Sequence, residues 1–251
     1  MLDNGQECRY VERDNYFIIY LSSHSGCNQA CRFCHLTQTK QTNMVQATFD
    51  DYLLQVQTVL DHWTKNKAVF VNPEKIHVNF MARGEPLLNE TVVNNWDDLS
   101  ANISNLIVSA TGNHNVHFKI STIFPEDSLL NLGNVEDFKT YYVPVFYYSL
   151  YSLDESFRKR WLPRAMPVED ALDILDGLYF SNGVTNTIHY ALISNENDSK
   201  EDAEKICQEL KIRNIPYKFN LVRYNPYSPV QGEEPTQAVM EDLPNIGRLQ
   251  R

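Results

Sequence analysis

Six short runs of aliphatic, β-branched and aromatic residues alternate with segments of helical spacing, and this alternation restricts the fold more than any other feature. The runs Tyr16–Leu21, Ile76–Met81, Val116–Thr122, Tyr142–Leu150, Thr187–Ile193 and Tyr217–Tyr224 read as strands. Between them, Phe49–Trp63 places Tyr52, Leu53, Val56, Val59 and Leu60 on one helical face. Val92–Val108, Val168–Phe180 and Ser199–Ile212 repeat that spacing. In the last segment Ala203, Ile206, Cys207 and Leu210 form the apolar stripe, and Ser199 with Asp202 makes an N-cap signal. Strands that alternate with helices form a parallel sheet with right-handed crossovers, so the chain is expected to be α/β. Six such units are too few for a closed eightfold barrel and suit an open, partial (β/α)6 barrel. Chemistry in these folds gathers at the carboxyl ends of the strands, so the residues just after each run are the candidates.

Composition narrows the function classes. The chain has 251 residues, 43% hydrophobic and 22% charged, which suits one globular domain. Its formal charge of −10 argues against a general nucleic-acid coat, because phosphate binding relies on Lys and Arg, but leaves room for one basic face. No apolar run approaches a membrane span, and Met1 to Arg13 is too polar for a secretory signal. A cytoplasmic location without membrane attachment is the expectation. Glycine-rich nucleotide motifs and H-E-x-x-H are absent.

The cysteines carry the chemical signal. Ser25 to His35 reads SGCNQACRFCH, placing Cys27, Cys31 and Cys34 in one polar loop after the first strand with C-x3-C-x2-C spacing. Three thiolates that close can wrap a soft metal centre. A cubane iron–sulfur cluster takes four ligands, so three protein thiolates leave one iron open to a substrate or cofactor. Structural zinc would need a fourth ligand such as His24 or His35, and His35 adjoins Cys34 too closely for the usual spacing. Inert buried cysteines are the bland alternative, poorly matched to a polar loop. The remaining two, Cys8 and Cys207, stand alone; Cys207 falls on a helical apolar stripe and reads as core.

With Phe33 just before its last cysteine, the motif resembles the radical S-adenosylmethionine (SAM) superfamily signature. The resemblance implies that Cys27, Cys31 and Cys34 hold a 4Fe–4S cluster whose open iron is chelated by SAM. Reductive cleavage of SAM then releases a 5′-deoxyadenosyl radical. It narrows further to the RlmN/Cfr family, which methylates adenine in RNA. Ser22–Gln38, Phe80–Asn89 (FMARGEPLLN), Lys119–Thr122, Tyr148–Tyr151, Asp154–Leu172 and His189–Pro226 each resemble that family's core segments, covering about residues 7–226. Carried over residue by residue, the resemblance assigns SAM contacts to Phe33, Gly84, Glu85, Ser121, Ser149, Leu150, Tyr151 and Asn225, and a general base to Glu7. It implies an RNA substrate (rRNA or tRNA), an external electron donor such as flavodoxin or ferredoxin, and a monomer. Taken together, 1–15 form an N-terminal extension, 16–226 the radical SAM core and 227–251 a C-terminal tail.

The chain also departs from the family pattern. A resolving cysteine is expected seven residues before Cys27, where this sequence has Tyr20, and no cysteine follows Asn225 to serve as methyl carrier. Tyrosine ionises near pH 10 against about 8.5 for cysteine, so a phenol cannot replace the thiolate. Ala82-Arg83 replaces a small or apolar approach to the Gly-Glu-Pro turn. Radical chemistry without methyl transfer on a non-RNA substrate, or an inactive metal-stabilised RNA-binding protein, therefore stand as alternatives. Arg158-Lys159-Arg160 with Trp161 and Arg164 reads either as a phosphate- and base-binding patch or as a solvated helix face balanced by Asp154 and Glu155.

Overall fold

The computed structural model describes residues 2, 4–67, 70 and 72–242. A single sheet runs in sequence order β1-β2-β3-β4-β5-β6-β7. The strands are β1 (Arg9–Glu12), β2 (Tyr16–Leu21), β3 (Lys75–Phe80), β4 (Val116–Thr122), β5 (Val145–Ser149), β6 (Thr187–Ala191) and β7 (Lys218–Val222). From β2 to β7 every pairing is parallel, whereas β1 folds back on β2 as an antiparallel hairpin. The result is an open, curled (β/α)6 half-barrel, as the alternation predicts.

Helices α1 (His35–Gln38), α2 (Phe49–Asn66), α3 (Glu90–Asn94), α4 (Trp96–Thr111), α5 (Glu155–Trp161), α6 (Val168–Asn182), α7 (Lys200–Ile212) and α8 (Gln237–Asp242) complete the chain. The long ones begin as their sequences dictate. Thr48 and Asp51 form a reciprocal capping box on α2, and Ser199 accepts the Asp202 N–H at the start of α7. Their apolar stripes meet one face of the sheet. Phe17, Ile19 and Leu21 of β2, Ile76, Val78 and Phe80 of β3, and Phe118 and Ile120 of β4 pack there against Tyr52, Val56 and Leu60 of α2 and Leu99 and Ile103 of α4 in one continuous core. Cys207 is buried in that core.

Three differences from the sequence reading have local causes. The hairpin strand β1 falls within 1–15; its short polar stretch carries no clear alternation, and pairing with β2 defines it. The fourth strand starts at Val145 rather than Tyr142, after Pro144, which has no N–H to give a ladder. Helix 92–108 breaks at Asn95, which ends α3 and begins α4 with φ −129°. Trp96 starts the second helix with its indole N–H donated to the Tyr142 carbonyl at 2.9 Å.

At the carboxyl edge of the sheet, buried amides satisfy the loop backbone. Gln55 of α2 accepts the Ser22 N–H at 2.7 Å and donates to the Ser22 carbonyl at 3.1 Å. Asn89 donates to the carbonyls of Ser23 and Ala47, both at 2.9 Å, and accepts from Val92 N–H. Asn197 donates to Tyr151 O at 2.7 Å and Ala191 O at 3.0 Å, and accepts from Ile193 N–H at 2.7 Å. All three side chains are fully buried.

Because a buried donor or acceptor left unpaired costs about 1–3 kcal/mol, Asn197→Ala is expected to lower unfolding stability by about 3 kcal/mol, read from urea denaturation. A pH effect follows from His24, buried in the loop after β2, whose imidazole is pushed down to about 4 by burial. An unfolded histidine titrates near pH 6.5, so the unfolded chain takes up this proton first as the pH falls. The stability contribution is complete above about pH 6.5 and lost progressively toward pH 4. The urea midpoint should fall between pH 7.5 and pH 5, with a shallower fall in His24→Gln.

Candidate radical SAM site

The cysteine loop leaves β2 at Ser22 and folds against the segment 39–46. Ser25 N–H donates to Val45 O at 3.0 Å and Cys27 N–H to Gln41 O at 2.9 Å. Gly26 makes this approach feasible, since a Cβ there would sit 2.6 Å from Asn43 O and closer still to Gln41 O. Cys34 caps α1 in extended conformation, and its N–H reaches Cys31 O at 3.1 Å. Arg83, just past β3, fastens the loop from beneath. Its Nη1 donates to Ser25 O at 3.3 Å and to Gln41 Oε1 at 2.5 Å, while Nε donates to Glu7 Oε2 at 3.0 Å. The arginine that departs from the family pattern thus supports the cysteine loop.

Cys27, Cys31 and Cys34 line one cavity of about 160 Å³ together with Phe33, Gly84, Glu85, Ser121 and Ser149. Residues from the ends of three strands and from the cysteine loop therefore converge, although up to 122 positions separate them in sequence. Burial pushes the Cys27 thiol up to about 12 and the Cys31 thiol well above its ordinary value, with neighbouring thiols and Glu85 adding to both. Such thiols are poor free nucleophiles at neutral pH; a bound metal centre is what deprotonates them. Among the described residues no three His, Cys, Asp or Glu side chains converge tightly enough for a single metal ion. Three cysteines on one cavity match the thiolate set that a 4Fe–4S cluster with one open iron takes.

Glu85 is the electrostatic centre of the cavity. Its Oε1 accepts the Leu87 N–H and Oε2 the Ile123 N–H, each at 3.2 Å, bridging the ends of β3 and β4. It has no ion-pair partner among the described residues, and burial raises its carboxyl to about 7. A carboxylate held this way is matched to an incoming ammonium group. Gln29 Oε1, in the same cavity, is buried with no hydrogen-bond partner. Gly84 turns with φ +86°, and a Cβ there would lie 2.6 Å from both Ser23 Oγ and His24 Nδ1. An unmatched carboxylate, an orphaned acceptor and three grouped thiols fit a cluster carrying an amino-acid-like ligand.

The other predicted contacts lie around this cavity. Tyr151 is buried with a left-handed φ of 59°, its ring centroid 4.9 Å from that of Phe33 and its carbonyl tied to Asn197. Leu150 packs into the helix-side core and does not line the cavity. Asn225 lines an adjoining cavity of about 630 Å³ with Arg9, His35 and Tyr227, bordered by the shared Phe33, Cys34, Met81 and Ala82. Glu7 lines neither cavity. Burial raises its carboxyl, but hydrogen bonds from Arg9 and Arg83 outweigh this and hold it below the usual range.

The Arg158–Arg164 patch divides: Lys159, Arg160 and Arg164 lie on a solvated face, whereas Arg158 and Trp161 turn inward. Trp161 is fully buried, stacked 5.7 Å from Phe157, with the Arg32 guanidinium 4.8 Å over its ring. Arg158 is buried too, donating to Leu150 O at 3.0 Å and Met166 O at 2.9 Å. Exposed Lys159 and Arg160 pair with Glu155 and Glu196. The i,i+3 spacing of Arg158 and Trp161 on α5 was the available signal that both face inward. Arg83, Gln29 and the ties of Asn197 were not anticipated, because their roles depend on loops brought together only by folding.

A sequence profile of the radical SAM superfamily matches residues 21–210. The dual-specificity RNA methyltransferase RlmN of Rhodopseudomonas palustris (strain TIE-1) is 27% identical over 225 residues, covering 88% of this chain and 53% of that protein. The probable RlmN of Natranaerobius thermophilus is 24% identical over 251 residues, covering 96% and 64% respectively. This chain thus spans between about half and two thirds of the length of these relatives. A radical SAM methyltransferase from Sphaerobacter thermophilus shares the fold with a TM-score of 0.74 at 18% identity, over 96% of this chain and 66% of that one. With the profile spanning most of the half-barrel and the cysteine cavity within it, the chain belongs to the radical SAM superfamily, whose cofactors are a 4Fe–4S cluster and SAM.

Proposed function

We propose that this chain is a radical SAM enzyme acting on RNA, related to the RlmN type of adenine methylation. The single observation that carries the reading is the convergence of three cysteines, Cys31 among them buried, with the cation-free Glu85 on one cavity. Cys27, Cys31 and Cys34 would hold the cluster. Glu85 would receive the SAM ammonium group, with Ser121 and Ser149 at neighbouring strand ends and Phe33, Leu150, Tyr151 and Asn225 around the nucleoside. When bound, the cluster supplies an electron that splits SAM into methionine and a 5′-deoxyadenosyl radical. That electron would come from a flavodoxin- or ferredoxin-like donor of the cytoplasm.

The chain's own residues set the conditions for that chemistry. Phe33 lines the cavity with its ring packed on Tyr151, restricting water beside a reactive species. The wider cavity with Arg9, His35 and Tyr227 is the approach for a nucleotide flipped out of RNA. RNA as substrate rests on similarity to the RlmN proteins. Glu7, committed to Arg9 and Arg83, is better suited to holding Arg83 under the cysteine loop than to taking a proton.

Anaerobic reconstitution is expected to load about four irons and four sulfides per chain. Dithionite with SAM should then release 5′-deoxyadenosine. Cys31→Ala should lose both iron and product; Glu85→Gln should keep the iron and lose at least 100-fold in SAM cleavage. A reconstituted protein without sulfide-to-iron absorbance would overturn the reading. For the substrate, nucleoside mass spectrometry of rRNA and tRNA incubated with the reduced enzyme and SAM should show a mass change on adenosine; unchanged nucleosides would exclude RNA.

A further inference from the structure

The sheet has two unlike faces. The one under the helices is mostly apolar and aromatic, whereas the lumen face carries Lys75, His77, His117, Lys119, Tyr147 and Lys218. Near the amino ends of β4 to β7 it forms a cavity of about 420 Å³, lined among others by His77, His117, Lys119, Tyr147 and Lys218. No carboxylate lines it, although the chain as a whole has 32 acidic and 22 basic residues. Lys75, Lys119 and Lys218 form no ion pair among the described residues. Lys75 and Lys119 instead lie over aromatic rings, Nζ 4.9 Å from the Tyr16 centroid and 5.2 Å from that of Tyr147.

Structural packing does not account for this arrangement. The amino end of a parallel barrel ordinarily serves stability, and a stabilising layer is apolar or has its charges paired. Here like charges are gathered instead: burial, then Lys119, His117 and Lys75, push the His77 imidazole down to about 3. Of the lining residues, His77 has its Nδ1 buried without a partner. A concave surface of one sign concentrates the opposite sign from solution.

We infer that the lumen cavity is an oxyanion-binding site, with Lys119 and Lys218 as the charged clamp and His77 and His117 as additional ligands, suited to the phosphate of a nucleotide. The match to a nucleotide rests on two further features. Tyr141, 88% exposed, and Tyr142 stand among the lining residues and offer aromatic surface to a heterocycle. The register row Ser121–Tyr147–Thr187–Lys218 also joins this cavity to the cysteine cavity, because Ser121 lines the latter and the other three line the former. The site goes beyond the RNA-modifying reading and does not depend on SAM cleavage.

The test titrates the full chain, cluster reconstituted, with inorganic phosphate, adenosine 5′-monophosphate and adenosine, followed by calorimetry at low salt. Saturable binding of the monophosphate or of phosphate is expected, weakened at least tenfold by Lys119→Gln with Lys218→Gln and unchanged by Lys205→Gln, an exposed helical lysine elsewhere. Lys218→Gln alone, at an exposed position of the edge strand, should weaken binding in the same direction and guards against misfolding of the double variant. Monophosphate binding well ahead of phosphate identifies a nucleotide as the source of the oxyanion; equal affinities identify the free ion. No saturable binding, adenosine binding as tightly as its monophosphate, or affinities indifferent to both lysine changes would overturn the inference.

Discussion

A carboxylate buried without a cation governs the site. Glu85 accepts two backbone N–H groups, one from the turn after β3 and one from the end of β4, and so joins adjacent strand ends through a charge removed from water. Burial dominates and raises its carboxyl to about 7, although a hydrogen bond from the Thr122 side chain and those two backbone bonds oppose it. An arriving ammonium group relieves that imbalance. The turn itself can form only with glycine at 84, whose missing side chain leaves room for Ser23 and His24 of the cysteine loop. One residue pair therefore connects the strand edge, the loop that carries the thiols and the charge that a ligand would neutralise.

The same problem recurs along the edge: parallel strands end with unpaired backbone groups, and the loops that follow are partly buried. Gln55, Asn89 and Asn197 solve it with fully buried side-chain amides, each reaching more than one segment. Amides do this without the desolvation cost of a charge. Two buried guanidiniums join them: Arg158 ties the carbonyls of Leu150 and Met166, and Arg83 serves where three groups, from Glu7, Ser25 and Gln41, must be held at once. Its fork geometry suits that task in a way a small residue would not.

What the sequence revealed follows from how local each signal is. The order of strands and helices was legible because period-2 and period-3.6 patterns are properties of neighbouring residues, as α2 and α7 illustrate. The thiols were legible because all three lie in one short loop. Arg158 and Trp161 were misleading, since a basic and aromatic string resembles a binding patch until α5 turns both inward. The lumen was hidden in plain alternation: within β4, His117, Lys119 and Ser121 alternate with Phe118 and Ile120, but only the sheet's curvature distinguishes a cavity from open solvent on the polar side.

In the RlmN/Cfr pattern that this chain resembles, radical generation and methyl transfer call on different thiols. Tyr20 stands on the lumen face of β2, in register with Arg9 and Asn79, so the position of the expected resolving thiol is directed toward the reaction space but carries a phenol. Cys8 packs against the helix-side core, and burial raises its thiol, which is the reverse of nucleophilic activation. Among the described residues, the only cysteines lining the two connected cavities are those assigned to the cluster. Hydrogen abstraction from a bound nucleotide would call on no thiol beyond these.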